Sequence, residues 1–301
     1  MNNPWPELPL ERWRDTCATL HMWTQIVGKI CLALTPRVNH FWNIAFQVSS
    51  RGLTTPPLAC DDQRTLNMTF DFLDHELVAK CSDGGSRSIP LAPRPVAVFY
   101  QDTLRMLHEM GIDVRIWTMP VEVPDPIRFE LDTTHASYDP EYAQRFWQIL
   151  MLTAQVMQEF RGRFIGKSSP VHFFWGSFDL AVTRFSGRKA PERPGADPIT
   201  HEAYSHEVIS HGFWPGGGAV PSAAFYAYAA PEPAGFKDAK VAPAEAFYSP
   251  GLSEFILPYD AVRSQPDPER TLRSFLETTY EAGARLGQWD RGSLERPSAT
   301  P

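Results

Sequence analysis

Proline divides this chain more finely than any other residue type. The 301 residues include 28 prolines, about 9% against a usual ~5%. They gather at Pro56-Pro57, Pro90 to Pro95, Pro120 to Pro126, Pro191 to Pro198 and Pro231 to Pro243. A proline fixes φ and removes a backbone donor, so no helix or inner strand continues through such a cluster. Between the clusters lie many ordered segments joined by stiff, extended loops.

Several of those segments have a two-residue period. Leu66, Met68, Phe70 and Phe72 alternate with Asn67, Thr69 and Asp71, the pattern of a half-buried strand. Phe41 to Val48 alternates in the same way. His75 to Cys81, then Asp83-Gly84-Gly85, then Arg87 to Leu91 predicts a hairpin, and Trp23 to Leu34 is an earlier strand candidate. Three segments have helical spacing instead. One starts at Pro95 and ends at Gly111; the others open with Asp139-Pro140 and Asp267-Pro268, an N-cap followed by a proline in the first turn. The expected fold is α+β, with antiparallel sheets in meanders and hairpins and about three long amphipathic helices. Two lobes are expected, 1–120 and 121–294, meeting in the loop-like stretch Pro120 to Tyr138, with 295–301 as a frayed tail.

The formal net charge of −7, with Lys and Arg scattered among more numerous acids, argues against nucleic acid as a partner. No run approaches the ~18 consecutive apolar residues of a membrane span, and the N-terminus has no secretory pattern. Cys17, Cys31, Cys60 and Cys81 have neither paired spacing nor the density of a disulfide scaffold, so a reducing, cytoplasmic setting is expected.

Polar and aromatic chemistry concentrates between Ser168 and Arg188. With a two-residue turn at Gly176-Ser177, Val171, Phe173, Trp175, Phe178, Leu180 and Val182 share one apolar face. His172, Phe174, Asp179, Ala181 and Thr183 share the other, where His172 and Asp179 become diagonal neighbours on the order of 7–8 Å apart. A carboxylate beside an imidazole fixes its tautomer and raises its basicity, which prepares a general base. His172 and Asp179 are therefore the catalytic candidates, with Phe174, Trp175, Arg184 and Arg188 as substrate-binding candidates. Against this stands the plainer expectation that the same residues only satisfy a covered sheet face.

His40, His135, His206, Glu207 and His211 are weaker metal-ligand candidates, and none has ligand spacing by itself. His201-Glu202 followed by His206 is not a zinc helix, because that motif needs its second imidazole four positions after the first, where Ser205 stands. Gly166-Lys167-Ser168 resembles the end of a phosphate-binding loop, but Arg161 occupies the position of its first glycine.

The strings Trp5-Pro6-Glu7-Leu8-Pro9, Gln25-Ile26-Val27-Gly28-Lys29, Gly166 to Ala181, Thr183 to Arg188 and Gly212-Phe213-Trp214-Pro215-Gly216 resemble a mostly bacterial family catalogued as a domain of unknown function. The resemblance runs over nearly the whole chain and implies one family-defined unit, without an activity or a cofactor. The functional expectation is an enzyme-like pocket for a small polar molecule, anionic if the arginines take part. The alternatives are a non-catalytic binding or interaction protein and a metal-dependent hydrolase. Cofactor and oligomeric state stay open.

Overall fold

A computed structural model describes residues 4–61, 63–196, 198–217 and 220–297. In chain order the elements are α1 (Leu10–Leu34), β1 (Gln47–Val48), β2 (Gly52–Thr54), β3 (Leu58–Ala59), β4 (Thr65–Asp71), β5 (Glu76–Cys81), β6 (Ser86–Pro90), α2 (Val96–Glu109), α3 (Pro140–Gly162), β7 (His172–Phe174), β8 (Asp179–Lys189), α4 (Pro198–Ala203), β9 (His206–Trp214), β10 (Ala224–Ala230), β11 (Phe247–Ser249), β12 (Glu254–Pro258), α5 (Tyr259–Arg263), α6 (Pro268–Leu286) and α7 (Arg291–Leu294). They form an α+β fold with two antiparallel sheets. One runs β1-β2-β4-β5-β6 with β3 beside β4, and the other runs β11-β12-β10-β9-β8-β7.

The chain makes two compact units. The first comprises Leu8–Met151 and Phe173–Asp179; the second comprises the segment ending at Glu7, Leu152–His172 and the chain from Leu180 on. The division falls within α3 and the β7–β8 hairpin, not near residue 120, because the 120–138 stretch is tied into the first unit. Val121 exchanges two hydrogen bonds with the Gln25 amide, and the carbonyls of Asp132 and His135 accept from the first N–H groups of α2. Ser137 and Asp139 donate their backbone N–H groups to the Thr19 and Thr16 hydroxyls. In the second unit Glu295, expected at the start of a frayed tail, accepts from Tyr280 at 2.9 Å and pairs with Arg291. Residues 298–301 of that tail lie outside the described residues.

The period-2 reading holds where one strand face is covered. β4 buries Leu66, Met68 and Phe70, and pairs Phe70 with Leu77 of β5, which in turn pairs Leu77 with Ile89 of β6. Asp139 accepts from the N–H groups of Glu141 and Tyr142 at the start of α3, and Asp267 accepts from Arg270 at the start of α6. The alternation from Phe41 to Val48 gives less strand than expected. Asn39–Phe41 is a 3-10 turn with His40 and Phe41 at φ 58° and 55°; Gln47–Val48 joins the first sheet, and Phe46 makes an isolated bridge to Phe173.

Trp23 to Leu34 is helical, not a strand. Every residue from Met22 to Cys31 of α1 is buried, so its apolar residues surround the axis and no stripe survives to mark a helical period. Thr24, Ile26, Val27 and Ile30, all β-branched, add a misleading strand-like composition. By length and composition α1 could cross a membrane, but 72% of its most apolar window is buried inside the protein. Trp23 stacks on Phe99 of α2 with ring centroids 4.5 Å apart, and Phe99 stacks on Phe70 of β4 at 6.4 Å. This column joins α1, α2 and the first sheet.

Close approach fixes one residue of α1. A Cβ at Gly28 would lie 2.2 Å from the Trp175 ring, whose indole N–H is held by the Ile44 carbonyl at 2.9 Å. Alanine at an ordinary helical glycine stabilises by about 1 kcal/mol. Here Gly28→Ala should instead destabilise by about 1–3 kcal/mol through overpacking, read as a lower urea midpoint; a midpoint equal to or above wild type would rule out this contact.

Candidate functional site

The central string forms a wider turn than its Gly-Ser pair suggests. Trp175 to Phe178 make a four-residue turn, with Phe178 in the left-handed region at φ 60°. The Phe178 ring explains that conformation. It stacks on Phe146 at 5.3 Å and on the His21 imidazole at 4.8 Å, and meets Phe173 edge-on at 5.2 Å. Burial in this aromatic nest offsets a backbone cost on the order of 1 kcal/mol. Asp179 accepts the Ser177 hydroxyl across the turn. Gly176 leaves room for the Glu122 carboxylate, which a Cβ would meet at 2.6 Å.

Helix α1 presents His21, Gln25 and Lys29 to this turn and to the 117–122 loop, at i, i+4 and i+8 on one face. His21 Nε2 donates to the Gly176 carbonyl at 2.8 Å. Burial lowers the His21 pKa to about 4, so the ring is neutral at neutral pH. Gln25 is fully buried and clamps Val121 through both ends of its amide, at 2.8 and 2.9 Å. Lys29, one turn on, is only 5% exposed. Its ammonium lies 4.5 Å from the centroid of Trp117, a ring that is itself 63% exposed.

Next to this face the first unit contains an imidazole–carboxylate pair that the sequence did not single out. Asp132 is wholly buried and His135 partly exposed, with His135 Nδ1 2.7 Å from Asp132 Oδ2. The second oxygen, Oδ1, accepts the backbone N–H groups of Thr134 and His135. A buried carboxylate held by two amides is fixed in place, and it fixes the imidazole with Nδ1 as donor. That leaves Nε2 as the basic nitrogen, and among the described residues it has no hydrogen-bond partner. His135 also acts electrostatically on His21, opposing its protonation. The available signal was the spacing Asp132-x-x-His135, an Asx turn that returns a carboxylate to the side chain three positions on.

His172 and Asp179 fall in different units, and each is buried, at 3% and 7% exposure. The rise in basicity expected for His172 does not occur: burial, with the Arg161 charge adding to it, lowers its pKa to about 4. Trp175 is buried in the first unit, and Phe174 is half-buried there. In the second unit the Arg184 guanidinium is enclosed, 3.5 Å from the Phe160 centroid and 4.2 Å from that of Tyr280, and it donates to the Phe160 carbonyl. Its faces are thus taken by rings, which suits a structural cation and not the anion-binding role expected for it.

Arg188 is held by the Glu207 carboxylate and by the Gly287 and Gln288 carbonyls at the end of α6, so two candidates of different expected roles neutralise each other. His206 opens β9 beside Ser205, with Nδ1 3.0 Å from its hydroxyl. His40 packs against Trp42, at 5.1 Å. His211 is fully buried, its Nε2 3.0 Å from the Thr279 hydroxyl, and its pKa is lowered to about 3 by burial. Among the described residues, no group of three or more His, Cys, Asp or Glu is placed to hold a metal ion. A cleft of about 90 Å3 is lined by Glu207, Ala230, Glu232, Gly283 and Trp289. It is well below the ~300–1,000 Å3 of ordinary ligand sites.

His172 and His211 have a consequence for pH. Above about pH 6.5 both are neutral in the folded and unfolded chains, so they add no pH dependence. Below it the unfolded chain takes up protons that the folded chain refuses, down to the folded values of about 4 and 3. Each should therefore remove about 1.4 kcal/mol of stability per pH unit in that window. Their imidazole NMR signals should stay neutral down to pH 5 while the urea midpoint falls. A midpoint near pH 6.5 for either signal would contradict this burial.

No curated protein and no solved structure matches the chain. Its family does: residues 5–296 match the family of unknown function DUF5996, and so take in both units. The chain therefore belongs to the DUF5996 family of unknown function.

Proposed function

We propose that the protein is an enzyme acting on a small polar molecule by general acid–base chemistry, with His135 as the proton-transfer group and Asp132 as its positioning residue. The observation that carries this reading is the 2.7 Å contact between a wholly buried carboxylate and a partly exposed imidazole. That arrangement leaves Nε2 accessible and basic, as proton abstraction from a bound molecule requires. His21, kept neutral by burial beside it, adds no competing positive charge. The bonds from Ser137 and Asp139 to the Thr19 and Thr16 hydroxyls, and from Val96 to the His135 carbonyl, hold the segment that carries the pair, and proton transfer needs such fixing. The same reading takes the protein as cytoplasmic, a setting that suits four free cysteines.

The test is untargeted mass spectrometry of a metabolite extract incubated with wild type, His135→Gln or Asp132→Asn. Wild type should consume at least one compound. His135→Gln should lower that rate about 10²–10⁴-fold, the usual contribution of a general base, while remaining folded by circular dichroism. Asp132→Asn should also lower it. Consumption by His135→Gln at the wild-type rate would remove His135 from the chemistry. A compound that binds all three proteins and is never turned over would make the protein a binder.

A further inference from the structure

Lys29 is nine-tenths buried in a protein that carries 35 acidic residues, yet among the described residues none forms an ion pair with it. Among the described residues its ammonium has neither a hydrogen-bond acceptor nor an ion-pair partner; its specific neighbour is the Trp117 ring. Its ammonium is not among the side-chain nitrogens enclosed without a partner, so a buried aliphatic stem carries the charge to solvent beside the ring. The neighbouring polar groups of α1 are matched, since His21 and Gln25 each hold a backbone carbonyl. The Gln25 clamp on Val121 anchors the 117–122 loop one helical turn before Lys29. Trp117 keeps most of its ring in solvent, although a tryptophan gains most by burial.

We propose that Lys29 and Trp117 form a subsite for the anionic end of the molecule acted on at His135, and that this molecule is a small planar carboxylate or phosphate monoester. The anion would form the charge-assisted hydrogen bond that Lys29 lacks, and the flat body would cover the Trp117 ring. Lys29 lies eight residues beyond His21 on α1, about 12 Å along the axis. Burial lowers the Lys29 pKa to about 8, so the amine is still largely protonated at pH 7. The proposal rests on the His135 reading for the reaction, but the binding itself can be tested separately.

The experiment is an NMR titration at pH 7 with benzoate, phenyl phosphate and neutral benzamide. At least one anion should bind, with shifts at Lys29, Trp117 and Val121, and at least tenfold more tightly than benzamide. Lys29→Met should weaken the anion at least tenfold and leave benzamide unchanged, while Lys29→Arg should retain part of the affinity. Trp117→Ala should weaken anion and benzamide alike. Comparing benzoate with phenyl phosphate shows which anion the subsite takes. His135→Gln should still bind the anion, so loss of turnover without loss of binding separates the two proposals. Binding of neither anion, equal binding of benzamide, or undiminished binding by Lys29→Met would each overturn the subsite.

Discussion

Helix α1 is buried on every side from Met22 to Cys31, and the arrangement of the first unit depends on how that burial is accommodated. Apolar residues alone would need only packing, but Thr24, Gln25 and Lys29 lie in the same stretch. Thr24 returns its hydroxyl to the His21 carbonyl at 2.8 Å, a solution internal to the helix. Gln25 has no such option and satisfies its amide on Val121, which draws the 117–122 loop against α1. Lys29 instead carries its ammonium out beside the Trp117 ring, 4.5 Å from its centroid. The polar requirements of one helix therefore decide where a proline-rich loop must run.

Two buried cations in the protein show why surroundings, and not residue type, separate structure from site. Arg184 is enclosed by Phe160, Phe164 and Tyr280 and donates to a backbone carbonyl. Its planar guanidinium gains from rings on its faces and from an acceptor at one edge, while its Nε is buried without a hydrogen-bond partner among the described residues. Lys29 is a compact charge beside a ring that faces solvent, without a hydrogen-bond acceptor among the described residues. The first cation is enclosed by rings, whereas the second reaches solvent beside an exposed ring.

The histidines divide in the same way. His21, His172 and His211 are held neutral by burial, and His211 is further fixed by Thr279, which donates its own hydroxyl hydrogen to Phe275 and so accepts from the ring. Asp132, held by two backbone amides, fixes the His135 imidazole through Nδ1, and on the surface His108 Nδ1 lies 2.8 Å from Asp113 in the same manner. A His–Asp pairing was anticipated from strand register in the central string. The pair seen in the first unit comes from a tight turn instead, because an Asx turn brings side chains three residues apart within hydrogen-bond reach without any sheet.

The sequence by itself determined the elements whose signals are local: the β4–β5–β6 meander, the starts of α3 and α6 at Asp139-Pro140 and Asp267-Pro268, and the end of α2 at Gly111. Alternation, capping and positive φ act over a few residues, so they can be read directly. It also marked the central string as the richest segment, though not the width of its turn, because the left-handed Phe178 is set by rings from distant parts of the chain. Only the tertiary structure decided that Trp23 to Leu34 is a helix, since burial on all sides removes the period that distinguishes helix from strand. With that helix unread, the spacing of His21, Gln25 and Lys29 had no meaning. The candidate site became visible once packing put them on one face, opposite a loop and a turn that lie some 90 and 150 residues further along the chain.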